Sequence, residues 1–127
     1  MWRALIDIET RRSAENGLSH WHYIVMADVQ EHPYTSQKHL AQRIVRSQSR
    51  LVTDLDLLVS RRLLDRDTVE HDRRVNRLVL TQAGQKLTSR VRQQIHHDED
   101  RLLRRLTERQ RGQLRDLLTR TFDPGSL

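Results

Sequence analysis

Leu63 to Gly84 reads LLDRDTVEHDRRVNRLVLTQAG. Two of its runs, Arg66 to Val69 and Val75 to Leu80, are rich in β-branched and apolar residues. The connection between them, Glu70-His71-Asp72-Arg73-Arg74, is polar and carries four charged side chains. Two such runs with a polar connection predict a β-hairpin. Two short helical patterns precede it, and a long one opening at Thr81 follows. A pair of short helices leading into a basic hairpin is one way to set a helix in a DNA groove with a ribbon beside it.

Working outward, Trp2 to Glu15 carries apolar residues at Trp2, Leu5, Ile6 and Ile8, an amphipathic helix that Asn16-Gly17 would end. Ser19 caps a second helix with Trp21, Ile24, Val25 and Val29 as its expected buried stripe, and His32-Pro33 stops it. Tyr34-Thr35 fits a brief strand. Ser36 or Thr35 then caps a helix facing inward with Leu40, Ala41 and Ile44. Ser47 caps the next, whose inward face is Leu51, Leu55 and Leu58. That assignment leaves Gln48, Ser49, Arg50, Thr53 and Asp54 facing solvent or a partner. The long helix after Thr81 has Val91, Ile95, Leu102 and Leu106 among its apolar positions. A last helix restarts at Thr107-Glu108, carries Leu114, Leu117, Leu118 and Phe122, and ends at Asp123-Pro124-Gly125. No internal repeat interrupts this order.

At 127 residues the chain is one structural domain's worth. Three segments divide it: 1–33 as supporting helices, 34–80 as the core around the hairpin, and 81–127 as C-terminal helices. The mean hydropathy of −0.79 is low. Because the apolar residues hold their periodicity over long windows, the reading is an extended helical protein and not a disordered one. A core this thin implies apolar surface buried against a second copy. The net charge of +6 is uneven, with −2 over residues 1–33 and +4 over each of 34–80 and 81–127. Basic charge around the hairpin fits a polyanion, although a solvated surface in an arginine-favouring chain, with 21 Arg to 2 Lys, has the same composition.

The absence of cysteine excludes disulfides and thiolate zinc sites. No window approaches the about 18 continuous apolar residues of a membrane span, and the N-terminus has no signal-peptide pattern. The expectation is a cytoplasmic protein without a membrane partner. No glycine-rich phosphate loop, nucleophile motif or credible carboxylate pair is present, so the chain does not read as an enzyme and implies no cofactor.

The order helix, helix, strand, helix, helix, hairpin, long helix, helix resembles the MarR family of bacterial winged helix-turn-helix regulators over nearly the whole chain. Gly17-Leu18-Ser19 with Tyr23, His39-Leu40-Ala41, Ser47-Gln48-Ser49-Arg50-Leu51, Asp72-Arg73-Arg74 and Leu80-Thr81-x-x-Gly84 carry the resemblance in order and spacing. It implies a mainly α fold with a small β-hairpin wing, in which a winged helix-turn-helix domain is flanked by N- and C-terminal dimerisation helices. It also implies a homodimeric repressor on a pseudo-palindromic operator in double-stranded DNA, with the helix near 47–58 in the major groove and the wing near 66–80 in the minor groove. Arg46, Ser47, Gln48, Ser49, Arg50 and Thr53 are the expected DNA contacts of the helix. Arg50 suits guanine and Gln48 adenine. Arg73, Arg74 and Arg77 are those of the wing, where a guanidinium fits a narrow minor groove. Asp72 with Arg74 would brace the wing. Leu5, Leu102, Leu106, Leu114, Leu117, Leu118 and Phe122 are the expected dimer contacts. Arg62-Leu63 departs from the family, which usually has Gly before this Leu to end the recognition helix in a left-handed conformation. Leu57 stands where the family is usually polar.

Trp21, His22, Tyr23 and Met26 are candidates to line a small-molecule effector pocket, or they are simply core. His20, His22 and His96-His97-Asp98-Glu99 raise a metal-responsive regulator as an alternative, but no His pair has i, i+4 spacing and no metal site is assigned. A winged-helix protein-interaction module without operator binding is the other alternative.

Overall fold

The computed structural model describes residues 2–68, 76–105 and 108–122. The elements run α1 (Trp2–Glu15), α2 (His20–Glu31), β1 (Thr35–Ser36), α3 (Gln37–Ile44), α4 (Gln48–Ser60), β2 (Leu64–Thr68), β3 (Asn76–Leu80), α5 (Gln82–Arg104) and α6 (Glu108–Phe122). The three strands form an antiparallel sheet in the order β1-β3-β2. The fold is mainly α with a small hairpin, as the sequence predicts.

Side chains that satisfy the free amides of a first turn open four of the helices. Ser19 accepts from the His22 N–H, Ser36 from His39, Ser47 from Arg50 and Thr81 from Gly84. The Thr81 hydroxyl also donates to the Arg62 carbonyl at 2.7 Å, which ties the start of α5 to the end of α4. Gly84 is required there. A Cβ on it would lie 1.9 Å from the Leu63 carbonyl oxygen.

The helix ends follow a common scheme. After α1, Gly17 at φ +75 lets the Leu18 N–H reach the Ser13 carbonyl and the Gly17 N–H reach Ala14. After α4, Arg62 takes the same place at φ +58, with Leu63 N–H on Leu58 and Arg62 N–H on Val59. The helix therefore ends where a glycine would have ended it, and Arg62 carries the strain. Val45 at φ +54 does the same between α3 and α4, where the Arg46 N–H reaches Ala41.

Three local expectations are corrected. The short strand begins at Thr35, because Tyr34 is left-handed (φ +64) and gives its N–H to Leu78. The hairpin strands pair from Leu64 opposite Leu80 to Thr68 opposite Asn76, because both leucines are drawn into the core. Asp54, expected to face outward, is buried. Along α4 it lies three residues after Leu51 and four before Leu58, within the inward stripe. On α2 the buried residues are Tyr23, Val25, Met26 and Val29, with Trp21 and Ile24 at the margin. With Leu40, Leu51, Leu55, Leu58, Leu64, Leu78, Val91 and Ile95 they make one core between α2, α4, the sheet and α5.

Candidate nucleic-acid interface

α4 presents a polar first turn to solvent. Ser47, Gln48, Ser49, Arg50 and Thr53 are all exposed, while Leu51, Asp54, Leu55 and Leu58 are buried behind them. Ser47 is partly committed as the cap, accepting from the Arg50 N–H at 3.4 Å, and the Thr53 hydroxyl donates to the Ser49 carbonyl at 3.3 Å. Gln48 and Arg50 thus bring the longer donors to this face. Val52 and Leu57 are also partly exposed on α4, at 38% and 39%.

Arg46 is placed differently from the other helix candidates. Its side chain is only 12% exposed. Nε donates to Asp54 Oδ2 at 2.6 Å and Nη2 to Oδ1 at 3.4 Å. The guanidinium carbon lies 4.2 Å from the centroid of the Trp21 ring. His22 Nε2 stands 3.6 Å from the same carboxylate. The His22 Nδ1 accepts from the Ser19 N–H at 3.3 Å, which puts the proton of the neutral ring on Nε2, toward Asp54. Burial lowers the His22 pKa, Asp54 opposes that, and Arg61 and Arg46 add to it.

On the ribbon side, Arg77 is half-buried in β3, in register with Ser36 of β1 and Asp67 of β2. Arg66 of β2 reaches Asp56 of α4 at 2.7 Å, tying the hairpin to the helix. Arg43 grips Asp28 at 2.7 Å and Thr35 Oγ1 at 2.7 Å, joining α2, α3 and β1. Neither brace was anticipated. The signal for each would have been a pairing of segments that only the fold brings together. Asp72, Arg73, Arg74 and Leu106 lie outside the described residues, as do the side chains of Leu114, Leu118 and Phe122.

The four residues offered for an effector pocket lie along α2. Met26 is fully buried and Tyr23 nearly so, Trp21 lies under Arg46, and His22 faces Asp54. A cavity of about 520 Å³ lies instead between α1 and α5, lined by residues that include Ile8, Arg11, Asp98, Arg101 and Leu102. The helix pair is held there by Asp98, which accepts from Arg12 at 2.6 and 2.8 Å and from Arg11 at 3.0 Å. Asp98 is therefore turned away from His96, which lies 3.6 Å from Glu99, and His20 pairs with Glu9 at 2.7 Å. Among the described residues no three His, Asp or Glu side chains converge to hold a metal. Nor is any described helix long and apolar enough to cross a membrane.

Arranged in this way, an exposed first turn on the second of two short helices stands beside a three-stranded sheet. Solved structures share the arrangement over almost the whole chain. Apo MarR from E. coli superposes with a TM-score of 0.82 at 17% identity, covering 94% of this chain and 89% of that one. The fold is that of MarR. The transcriptional repressor CouR bound to a 23-mer DNA duplex matches at 0.81 and 24% identity, covering 93% of this chain and 84% of that one. A mutant MarR from E. coli complexed with operator DNA matches at 0.79 and 18%, covering 94% and 86%. No family model matches the sequence. The MarR-like fold thus stands on three-dimensional likeness alone, over 93–94% of the chain.

Proposed function

We propose that this chain is a DNA-binding transcriptional regulator of the MarR type, acting as a homodimer that represses from a pseudo-palindromic operator. The observation that carries the reading is the exposed first turn of α4, where Gln48, Ser49, Arg50 and Thr53 stand clear of the core beside the wing. Recognition helices read base edges chiefly from their N-terminal residues. The likeness to CouR and to MarR, each solved with DNA, supports the same reading. In it α4 enters the major groove, with Arg50 on guanine or phosphate and Gln48 on adenine. Arg77, Arg73 and Arg74 serve the minor groove from the wing, Asp72 braces it, and α1, α5 and α6 supply the dimer contact. The chemistry is binding without turnover.

The test begins with selection of duplexes from a random-sequence pool by the wild-type protein. Fluorescence anisotropy across a salt series then compares the selected duplex with a random one. The expected result is tight, salt-sensitive binding of the selected duplex, weakened at least tenfold by Arg50→Ala. Loss of a phosphate contact would also flatten the dependence of log K on log salt by about 0.9 per contact. Failure to enrich any sequence, or binding indifferent to Arg50, would sink the regulator reading.

A further inference from the structure

The buried charges at the base of α4 are not explained by contact with DNA. Arg46 leaves α3 through the left-handed Val45, and its N–H is held by the Ala41 carbonyl at 3.1 Å. Its guanidinium then turns inward over the Trp21 ring of α2, 4.2 Å from its centroid, and onto Asp54 of α4. Three elements meet at this one side chain. Asp54 is 5% exposed and lies beneath Arg46, so it does not approach a polyanion. A guanidinium stacked on an indole and paired with a carboxylate has its charge neutralised and its planar face occupied. The exposed turn of α4 begins two residues later.

We propose that Arg46 is a positioning residue: the Trp21–Arg46–Asp54 clamp sets the pose of the recognition helix on α2, and Arg46 makes no phosphate contact. This rests on the DNA-binding reading above and refines it. Two charges of opposite sign at the clamp cancel, so the clamp adds nothing to the electrostatic attraction of duplex DNA. What it supplies is register, the angle at which Gln48, Ser49, Arg50 and Thr53 meet the groove.

Arg46→Lys and Asp54→Asn separate the possibilities without emptying the site. Lys keeps the positive charge but loses the planar fork and the stack. The clamp predicts that both variants lower affinity for the selected duplex at least tenfold, with Arg46→Lys leaving random-duplex binding and the salt slope within twofold of wild type. It also predicts that the double variant is no worse than the poorer single. Retained tight binding by Arg46→Lys, together with an unaffected Asp54→Asn, would make Arg46 a phosphate contact and overturn the proposal. A readout independent of DNA is amide hydrogen exchange at residues 51–54 of α4. The expected result is at least tenfold faster exchange in both variants, with the circular dichroism of the fold retained. Unchanged exchange would also overturn the clamp. If the wild type enriches no duplex, the regulator reading falls by itself, and the exchange rates still decide whether Arg46 holds α4.

Discussion

Arg62 occupies the position that Gly17 fills after α1, and the two ends show what the side chain costs. Both helices close with the same pair of backbone hydrogen bonds, yet one left-handed residue is glycine and the other is not. An L-residue in that conformation is disfavoured by roughly 1–2 kcal/mol. Glycine returns part of this because it loses more chain entropy on folding. Arg62→Gly should therefore stabilise the protein by about 0.5–1 kcal/mol, read as a raised urea midpoint at unchanged m-value. Arg62 is exposed and its side chain covers no core, so no packing loss opposes the gain. Gly84 is the opposite case. Its need for no side chain comes from the Leu63 carbonyl lying across it, and not from its own backbone angles. The sequence presents both positions as departures or matches to a pattern. Only the coordinates say that Arg62 adopts the strained conformation instead of shifting the end of the helix.

At the scale of elements, α1 and α5 are joined through one acid. Asp98 has a side chain 7% exposed and takes three hydrogen bonds from Arg12 and Arg11, which lowers its pKa to about 2. The same bonds hold Arg12 more firmly protonated than usual. A carboxylate whose pKa falls on folding contributes stability above its unfolded value, and that stability is lost as pH drops through the folded one. The contribution should be complete at pH 5 and disappear between about pH 4 and pH 2, as the unfolded and then the folded form take up the proton. Asp98→Asn should cost about 2 kcal/mol near neutrality, the scale of hydrogen bonds to a charged group. Wild type and variant should then converge in chemical denaturation as pH falls toward 2. A cost that persisted unchanged there would mean that the contact acts by shape and not by charge. The sequence reading set Asp54 on the outward face of α4 and Asp98 in a His-Asp-Glu cluster, yet each lies on the stripe of its apolar neighbours, Leu51, Leu55 and Leu58 for Asp54 and Val91 and Ile95 for Asp98. Their partners were not legible at all. An acid within an apolar stripe signals a buried counter-charge without saying whose.

For the whole molecule, the accessible surface is 8,899 Å², against about 7,100 Å² for a compact monomer of this mass. In the proposed dimer a second copy would cover part of that area. A folded dimer gains stability by mass action. The thermal midpoint should therefore rise measurably over a hundredfold increase in protein concentration, and sedimentation equilibrium should give twice the chain mass. A midpoint independent of concentration with a monomer mass would remove the dimer from the proposed function. Basic charge over residues 34–80 was plain in the sequence, but its use was not. The fold leaves Arg50 exposed on α4, with Lys38, Arg61 and Arg62 also exposed, and commits Arg43, Arg46 and Arg66 each to an acid.

The sequence alone determined the order of elements, the presence of a hairpin and the capped starts of the helices, because caps and apolar stripes act within about four residues. The tertiary structure decided which charges face outward. Arg46 and Asp54 are eight residues apart, and Arg12 and Asp98 eighty-six. Whether such a pair meets depends on how helices pack, which no local pattern encodes. The inward turn of Arg46 onto Trp21 and Asp54 was decided at that level, where the cost of taking a charge out of water has to be offset by a partner in good geometry.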